Sequence, residues 1–209
     1  MYATAERPLT FEEFLAWDDG SGRDFELRDG YPMPITDPNA KHEDVVHHLC
    51  ISLDSHCVEK DLPYVPRQSK QVLLKPNAMT GRQESRKADI VVFAKDEWEK
   101  MRNSSSSAAA YLPPPLVIEV VSSNWKDDYE GKVGEYEEVG ISEYWVIDYA
   151  GFGGIRFIGK PKQPTITIYT LTEEQEYQLK QFRGNTLIES LVFPTLQLTA
   201  DQIFAMATL

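Results

Sequence analysis

The chain has 209 residues, 42% hydrophobic and 26% charged, enough for one well-buried domain and ordinary for a globular protein. A formal net charge of −12 excludes general nucleic-acid coating, which needs Lys and Arg, but leaves room for a local site. No run approaches the roughly eighteen apolar residues of a membrane-spanning helix, and the opening MYATAERPLTFEEF lacks the basic and then apolar run of a signal peptide, so a cytoplasmic location is expected.

Thr10 and Glu13 in TFEEFLAW stand at capping-box spacing and predict a short helix. DFELRDGYPMPI reads as a hairpin around Asp29-Gly30. Asp37-Pro38 starts a longer helix to about Lys60, with Asp as the cap and Pro in the first turn. Its apolar stripe of Val46, Leu49 and Leu53 is continued by Cys50. The two cysteines, Cys50 and Cys57, lie two turns apart, roughly 10 Å by helical rise, which is too far for a disulfide. Strand patterns follow at 63–75 and 88–94. NSSSSAAA, residues 103–110, is the one low-complexity stretch and predicts a mobile loop over about 100–111. An apolar strand at 116–121, a helix from about 124 to 139 ended by Gly140, and the strand EYWVIDY come next. The final stretch reads as antiparallel strands (TITIYTL, YQLKQF, TLIESLVF) and a closing helix, TADQIF. With no internal repeat and no linker, a single domain over 1–209 is expected, of α/β or α+β class.

Two strands carry an acid that a purely structural strand would not: Asp89 enters ADIVVF, and Glu119 interrupts LVIEVV. Singly, Asp89 could cap a strand end and Glu119 could pair with an arginine. Together on adjacent strands they could present two carboxylates, with the backbone carbonyl of Val120, to a hard divalent cation such as Mg2+. The following helix adds a lysine. Counting 100° per residue from Lys132, Trp125 falls near ~20°, Tyr136 near ~40°, Tyr129 near ~60°, Val133 near ~100° and Val139 near ~−20°. Asp127, Glu130, Gly134, Glu137 and Glu138 fall on the far side. Lys132 thus lies inside the apolar arc and needs a partner, either Asp128 one turn earlier or the acidic site at the preceding strand's end, unless it snorkels along Tyr136.

Glu26 alternates with Phe25 and Leu27, so it belongs to the site or to solvent according to which face packs. His42 sits on the long helix's buried stripe near its start, as a core histidine or within reach of a site there. Arg67, Lys70, Lys75, Arg82, Arg86 and Lys87 face a single acid, Glu84, within 67–87; they form a solvated hairpin or a phosphate-contacting face.

The segments FELRDG, NAKHEDVVHHL, KADIVVF, PPPLVIEVVSSNWKDDYEGKVGEYEEVGISEYWVIDY and FPTLQLTADQIF resemble a restriction-endonuclease family, long catalogued as a domain of unknown function, within the PD-(D/E)XK nuclease superfamily. The resemblance runs from about residue 8 to 206 and rests chiefly on the block from Ile118 to Asp148. It implies a restriction-endonuclease-like mixed sheet flanked by helices, here with a C-terminal antiparallel extension. It also implies a metal site of Asp89, Glu119 and Val120 for Mg2+ or Mn2+. Ala88 stands where the superfamily's proline is usual, and Val121 where its second-motif lysine is usual. The resemblance implies that Lys132 supplies that lysine from the next helix, with Lys126 as the substitute, and that Glu26 and His42 lie around the site.

A metal-dependent endonuclease is therefore expected, with Asp89, Glu119 and Lys132 catalytic and Asp128 and Tyr136 as further site residues. Arg67, Lys70, Arg82, Arg86 and Lys87 are expected to contact phosphates. The expected partner is nucleic acid, DNA before RNA, with a homodimer cutting two strands and no membrane. The rivals are a nuclease-fold protein that binds nucleic acid or a protein without cutting, and a metal-dependent hydrolase of small phosphates.

Overall fold

The computed structural model describes residues 5–209; the first four residues of the expected domain lie outside the described residues. The capping box is present. Thr10 Oγ1 accepts from the Glu13 N–H at 3.2 Å and Glu13 accepts from the Thr10 N–H at 2.9 Å, opening α1 (Phe11–Ala16). β1 (Phe25–Arg28) then turns into β2 (Tyr31–Pro34) through Asp29 and Gly30, both at positive φ (49° and 78°), as a tight two-residue hairpin requires. α2 (Ala40–Glu59) begins later than expected. Its cap is Asn39, not Asp37, and Asn39 Oδ1 accepts from the His42 N–H at 3.2 Å. Asn caps as well as Asp does.

β3 (Tyr64–Leu73) pairs antiparallel with β4 (Ser85–Ala94) from end to end except at Ser69 and Asp89, and α3 (Lys95–Arg102) follows. In the serine-rich stretch beyond, residues 104–108 are exposed. Ala109 and Ala110 are buried, and Ala110 exchanges hydrogen bonds with Gln71 and Leu73 on the edge of β3. β5 (Leu116–Val120) and β6 (Glu143–Asp148) are the one parallel pair among the strands of the described residues. They are joined by a crossover containing α4 (Lys132–Val139), with Gly140 in the left-handed conformation as its cap. The crossover is not the uninterrupted α-helix expected from 124 to 139. Residues Asp127–Gly131 form a wider π-turn, a departure common near functional sites.

The short α5 (Ile155–Ile158), the antiparallel strands β7 (Thr165–Leu171) and β8 (Tyr177–Phe182), and α6 (Ala200–Ala205) complete the chain. TLIESLVF is not a strand: it makes a single bridge, Leu187 to Thr199. Ile188, Ser190 and Val192 are buried and Glu189 and Leu191 exposed, which is the strand-like alternation the sequence showed, but the backbone finds no ladder beyond that bridge. Instead the buried Glu143 carboxylate pins this segment, accepting from Ser190 Oγ at 2.8 Å and the Val192 N–H at 3.0 Å.

The eight strands of the described residues form one sheet in the order β2-β1-β4-β5-β6-β7-β8, with β3 on the other edge of β4. One face packs Ile90, Val92, Leu116, Ile118 and Trp145 against α2 and the C-terminal segment. The other packs Val91, Val117, Val121 and Val146 against Tyr129 and Tyr136 of the crossover. Burial of each such aliphatic side chain stabilises the fold by about 1.5–3 kcal/mol. Among the described residues no helix is long and apolar enough to cross a membrane.

Both cysteines are free and buried in the α2 core. Burial raises the Cys50 thiol pKa and pushes that of Cys57 up to about 11. At pH 8 only about one Cys57 in a thousand is thiolate, the reactive form. Thiol titration with a disulfide reagent at pH 8 is expected to show two slow thiols in the native protein and two fast ones in denaturant. A native thiol reacting as fast as free cysteine would contradict this burial.

Candidate metal and phosphate site

β4 gives one edge entirely to β3 and divides the other. Residues Ile90 to Val92 of β4 pair with β5, and Ser85 pairs with Leu27 of β1. Between those contacts the sheet forks, and Asp89 stands at the junction. The β4–β5 ladder ends at Ile90 and Ile118, so Asp89 and Glu119 each stand one residue beyond it, and both line one cleft. Asp89 Oδ2 accepts the Val120 N–H at 2.7 Å and lies 3.1 Å from His42 Nε2. Alternation along β5 sends Val117, Glu119 and Val121 to the crossover side, so Glu119 meets α4.

Glu119 is 2% exposed, and both its oxygens are engaged. Tyr136 Oη donates to Oε1 at 2.8 Å, and Lys132 Nζ lies 3.1 Å from Oε2. Lys132 also donates to Asp128 Oδ1 at 2.9 Å. The lysine thus takes both of the partners its place in the apolar arc suggested.

One lysine does not balance these acids. Burial, with the charges of Asp89 and Asp128, pushes Glu119 up to about 8 against the opposing pull of Lys132. Burial likewise raises Asp128, again against Lys132. Burial would strip Lys132 of its proton, but Asp128, Glu119 and Asp89 outweigh it and hold the ammonium well above its ordinary range. At His42, burial is outweighed by the hydrogen bond and charge of Asp89, so its pKa is raised.

Glu26 is buried, not solvent-facing. Its Oε1 accepts the Lys87 N–H at 3.2 Å, and its Oε2 lies 3.0 Å from Arg86. Arg86 corrects the expected row of phosphate contacts, because its side chain is only 3% exposed. It forks onto Asp127 at 2.8 and 3.0 Å and onto Glu135 at 2.6 and 3.0 Å, which fills its donors. Asp127, placed by the angular count on the solvated face, is drawn in by this pairing. Sequence reasoning missed the hub because Glu26, Asp127 and Glu135 lie 60, 41 and 49 residues away from Arg86.

The rest of the basic run is dispersed. Arg67 pairs with Asp54 at 2.9 Å and stacks on Trp98, Arg82 pairs with Asp29 at 2.9 Å, and Lys70 lies half-buried on β3. Lys87, paired with Asp24, alone lines the cleft. Lys126 is exposed, with its ammonium over the Trp125 ring.

The cleft measures about 520 Å3 and brings together Glu26, His42, Asp89, Glu119, Asp128 and Lys132. Among the described residues no group of three or more His, Cys, Asp or Glu forms a cage for an ion. A hard divalent cation does not need one, since one or two carboxylates, backbone oxygen and water suffice. Asp89 and Glu119, lining one cleft with an excess of negative charge around them, fit such an ion.

Comparison with known proteins agrees with this architecture. The family model named Uma2 and described as "Putative restriction endonuclease" matches residues 11–201. A solved structure, "Crystal structure of a putative nuclease belonging to DUF820 from Anabaena variabilis ATCC 29413", superposes with a TM-score of 0.70 at 16% identity, covering 96% of this chain and 99% of that one. At that identity the likeness concerns the fold. No curated protein matches the chain. The expected mixed sheet flanked by helices is present, and with the family model spanning nearly the whole length, the chain belongs to the Uma2 restriction-endonuclease family.

Proposed function

We propose that the chain hydrolyses phosphodiester bonds of nucleic acid, DNA before RNA, with Mg2+ or Mn2+ held by Asp89 and Glu119. One observation carries the proposal: Lys132, its side chain only 11% exposed, lies 3.1 Å from the buried Glu119, in the cleft that Asp89 also lines at the fork of the sheet. A bound divalent ion lowers the pKa of its water and neutralises charge on the phosphoryl group.

The protein supplies the remainder. Tyr136 and Lys132 fix the two oxygens of Glu119, and the Val120 N–H fixes Asp89. The Lys132 ammonium, kept charged by its acidic neighbours, orients the attacking water or donates to the oxygen on which negative charge develops. Val121, where the superfamily's usual lysine would stand, is wholly buried and has no such role.

The test is a calorimetric Mn2+ titration of the wild type and of the Asp89→Asn/Glu119→Gln double variant. Wild type is expected to bind, and the double variant to lose at least tenfold in affinity. The pH dependence has a definite sign. With its pKa raised to about 8, Glu119 keeps its proton below that pH, so ion uptake must release it. Affinity should therefore rise from pH 6 to 8, by at most about tenfold per unit, and then level off. Equal binding by both proteins would remove the metal site from Asp89 and Glu119.

A further inference from the structure

The cleft has an aromatic residue in its wall that the metal site does not use. Phe152 is 39% exposed and lines the same cleft as Asp89, Glu119 and Lys132. It follows β6, and because β5 and β6 are parallel, the loops leaving their carboxyl ends share one rim of the site.

The loop that presents Phe152 is tightly fixed. The Asp148 carboxylate, wholly buried, accepts the N–H groups of Phe152 and Gly153 at 2.8 Å each. The Phe152 carbonyl accepts from Lys162 Nζ at 2.9 Å, and the ring of Tyr149 stands edge-on to the phenyl at 6.0 Å. Trp125 closes the loop from behind: a Cβ on Gly154 would come within 2.8 Å of its ring. A phenyl ring is thus held partly open to a cleft that also contains carboxylates and a lysine. Leaving such a ring in water is unfavourable, and nothing in the metal chemistry requires it.

We infer that Phe152 is a stacking platform for a nucleobase, so that the site takes an unpaired or flipped-out nucleotide rather than a regular duplex. Inside a duplex the faces of each base are covered by their neighbours; only a single strand or an extruded nucleotide offers one. Stacking on an aromatic ring is tolerant of sequence. Phe152 is a positioning residue that fixes the nucleotide beside the scissile phosphate. The inference rests on the nuclease reading of the site and narrows its substrate class.

The test is fluorescence anisotropy in chelator, where no cutting occurs, with labelled 12-nucleotide oligothymidylate and a 12-base-pair duplex at one fixed salt concentration. Wild type, Phe152→Ala and Phe152→Trp are compared, and thermal unfolding checks each fold. Wild type is expected to prefer the single strand. Phe152→Ala should lose about tenfold in single-strand affinity, with duplex affinity unchanged, and Phe152→Trp should restore it. Equal single-strand affinity of wild type and Phe152→Ala, or a parallel loss for both ligands, would overturn the stacking role. If wild type nicks plasmid in Mg2+ while Phe152→Ala binds single strands normally, stacking fails and the nuclease reading stands. If wild type binds neither ligand and cuts nothing, both fail.

Discussion

Lys132→Met is expected to lower the rate of phosphodiester cleavage by about 100- to 1,000-fold, the usual loss when one preorganised donor to developing charge is removed. Methionine keeps an unbranched apolar stem of similar length, so packing in the crossover arc is largely retained. Glu119 and Asp128 lose their shared cation, but burial already raises both carboxyl pKa values, so each can take up a proton in its place. The fall should therefore appear in kcat more than in KM. Lys132→Arg should rescue poorly: the Lys132 side chain is 11% exposed and meets two carboxylates as a compact point charge, a geometry a planar guanidinium does not reproduce. Single-turnover cleavage of a labelled substrate measures this. A methionine variant within threefold of wild type would remove Lys132 from the reaction.

Arg86→Met is the second large effect, and it falls on stability. The guanidinium holds Glu26, Asp127 and Glu135 together beneath the cleft. Removing one member of a buried ion network strands the others, at a cost of about 3–5 kcal/mol. For a chain of this length that corresponds to roughly 6–20 °C in Tm. The pH dependence also changes sign. In the wild type, burial would raise Glu135, but the hydrogen bond and charge of Arg86 lower it. Its contribution is therefore present above the unfolded carboxylate pKa and is lost as pH falls. Without Arg86 the burial that raises Glu135 loses its main opponent, so acidification should narrow the gap between variant and wild type. Scanning calorimetry at pH 7 and pH 5 checks both statements. A variant as stable as wild type at pH 7 would show that the hub is not structural.

Local chemistry was legible in the sequence wherever one short segment decided it. The Thr10–Glu13 box, the Asp29-Gly30 turn and the closing helix after Thr199 each depend on a few adjacent residues, and each formed. Glu119 and Lys132 were legible for a different reason: a charge inside an apolar strand or arc needs a partner, and here each became the other's. The failures were long-range. Arg86 looked like one more cation of a basic run, and only the folding of three distant acids onto it turned it inward. Asn39 competed with Asp37 for the cap on nearly equal terms. The π-turn at Asp127–Gly131 has no periodic signature, although Asp128 and Lys132 still meet across it. Phe152 lies in a loop whose approach to the site depends on the parallel pairing of β5 and β6, which no local pattern encodes.

Cleavage of supercoiled plasmid in Mg2+ and in Mn2+, with Asp89→Asn purified identically as the control, tests most directly whether the fork of the sheet is a hydrolytic metal centre. Metal-dependent nicking by wild type, abolished by chelator and reduced at least 100-fold in Asp89→Asn, is the expected result. Equal nicking by both proteins, or none by wild type with either ion, would contradict it.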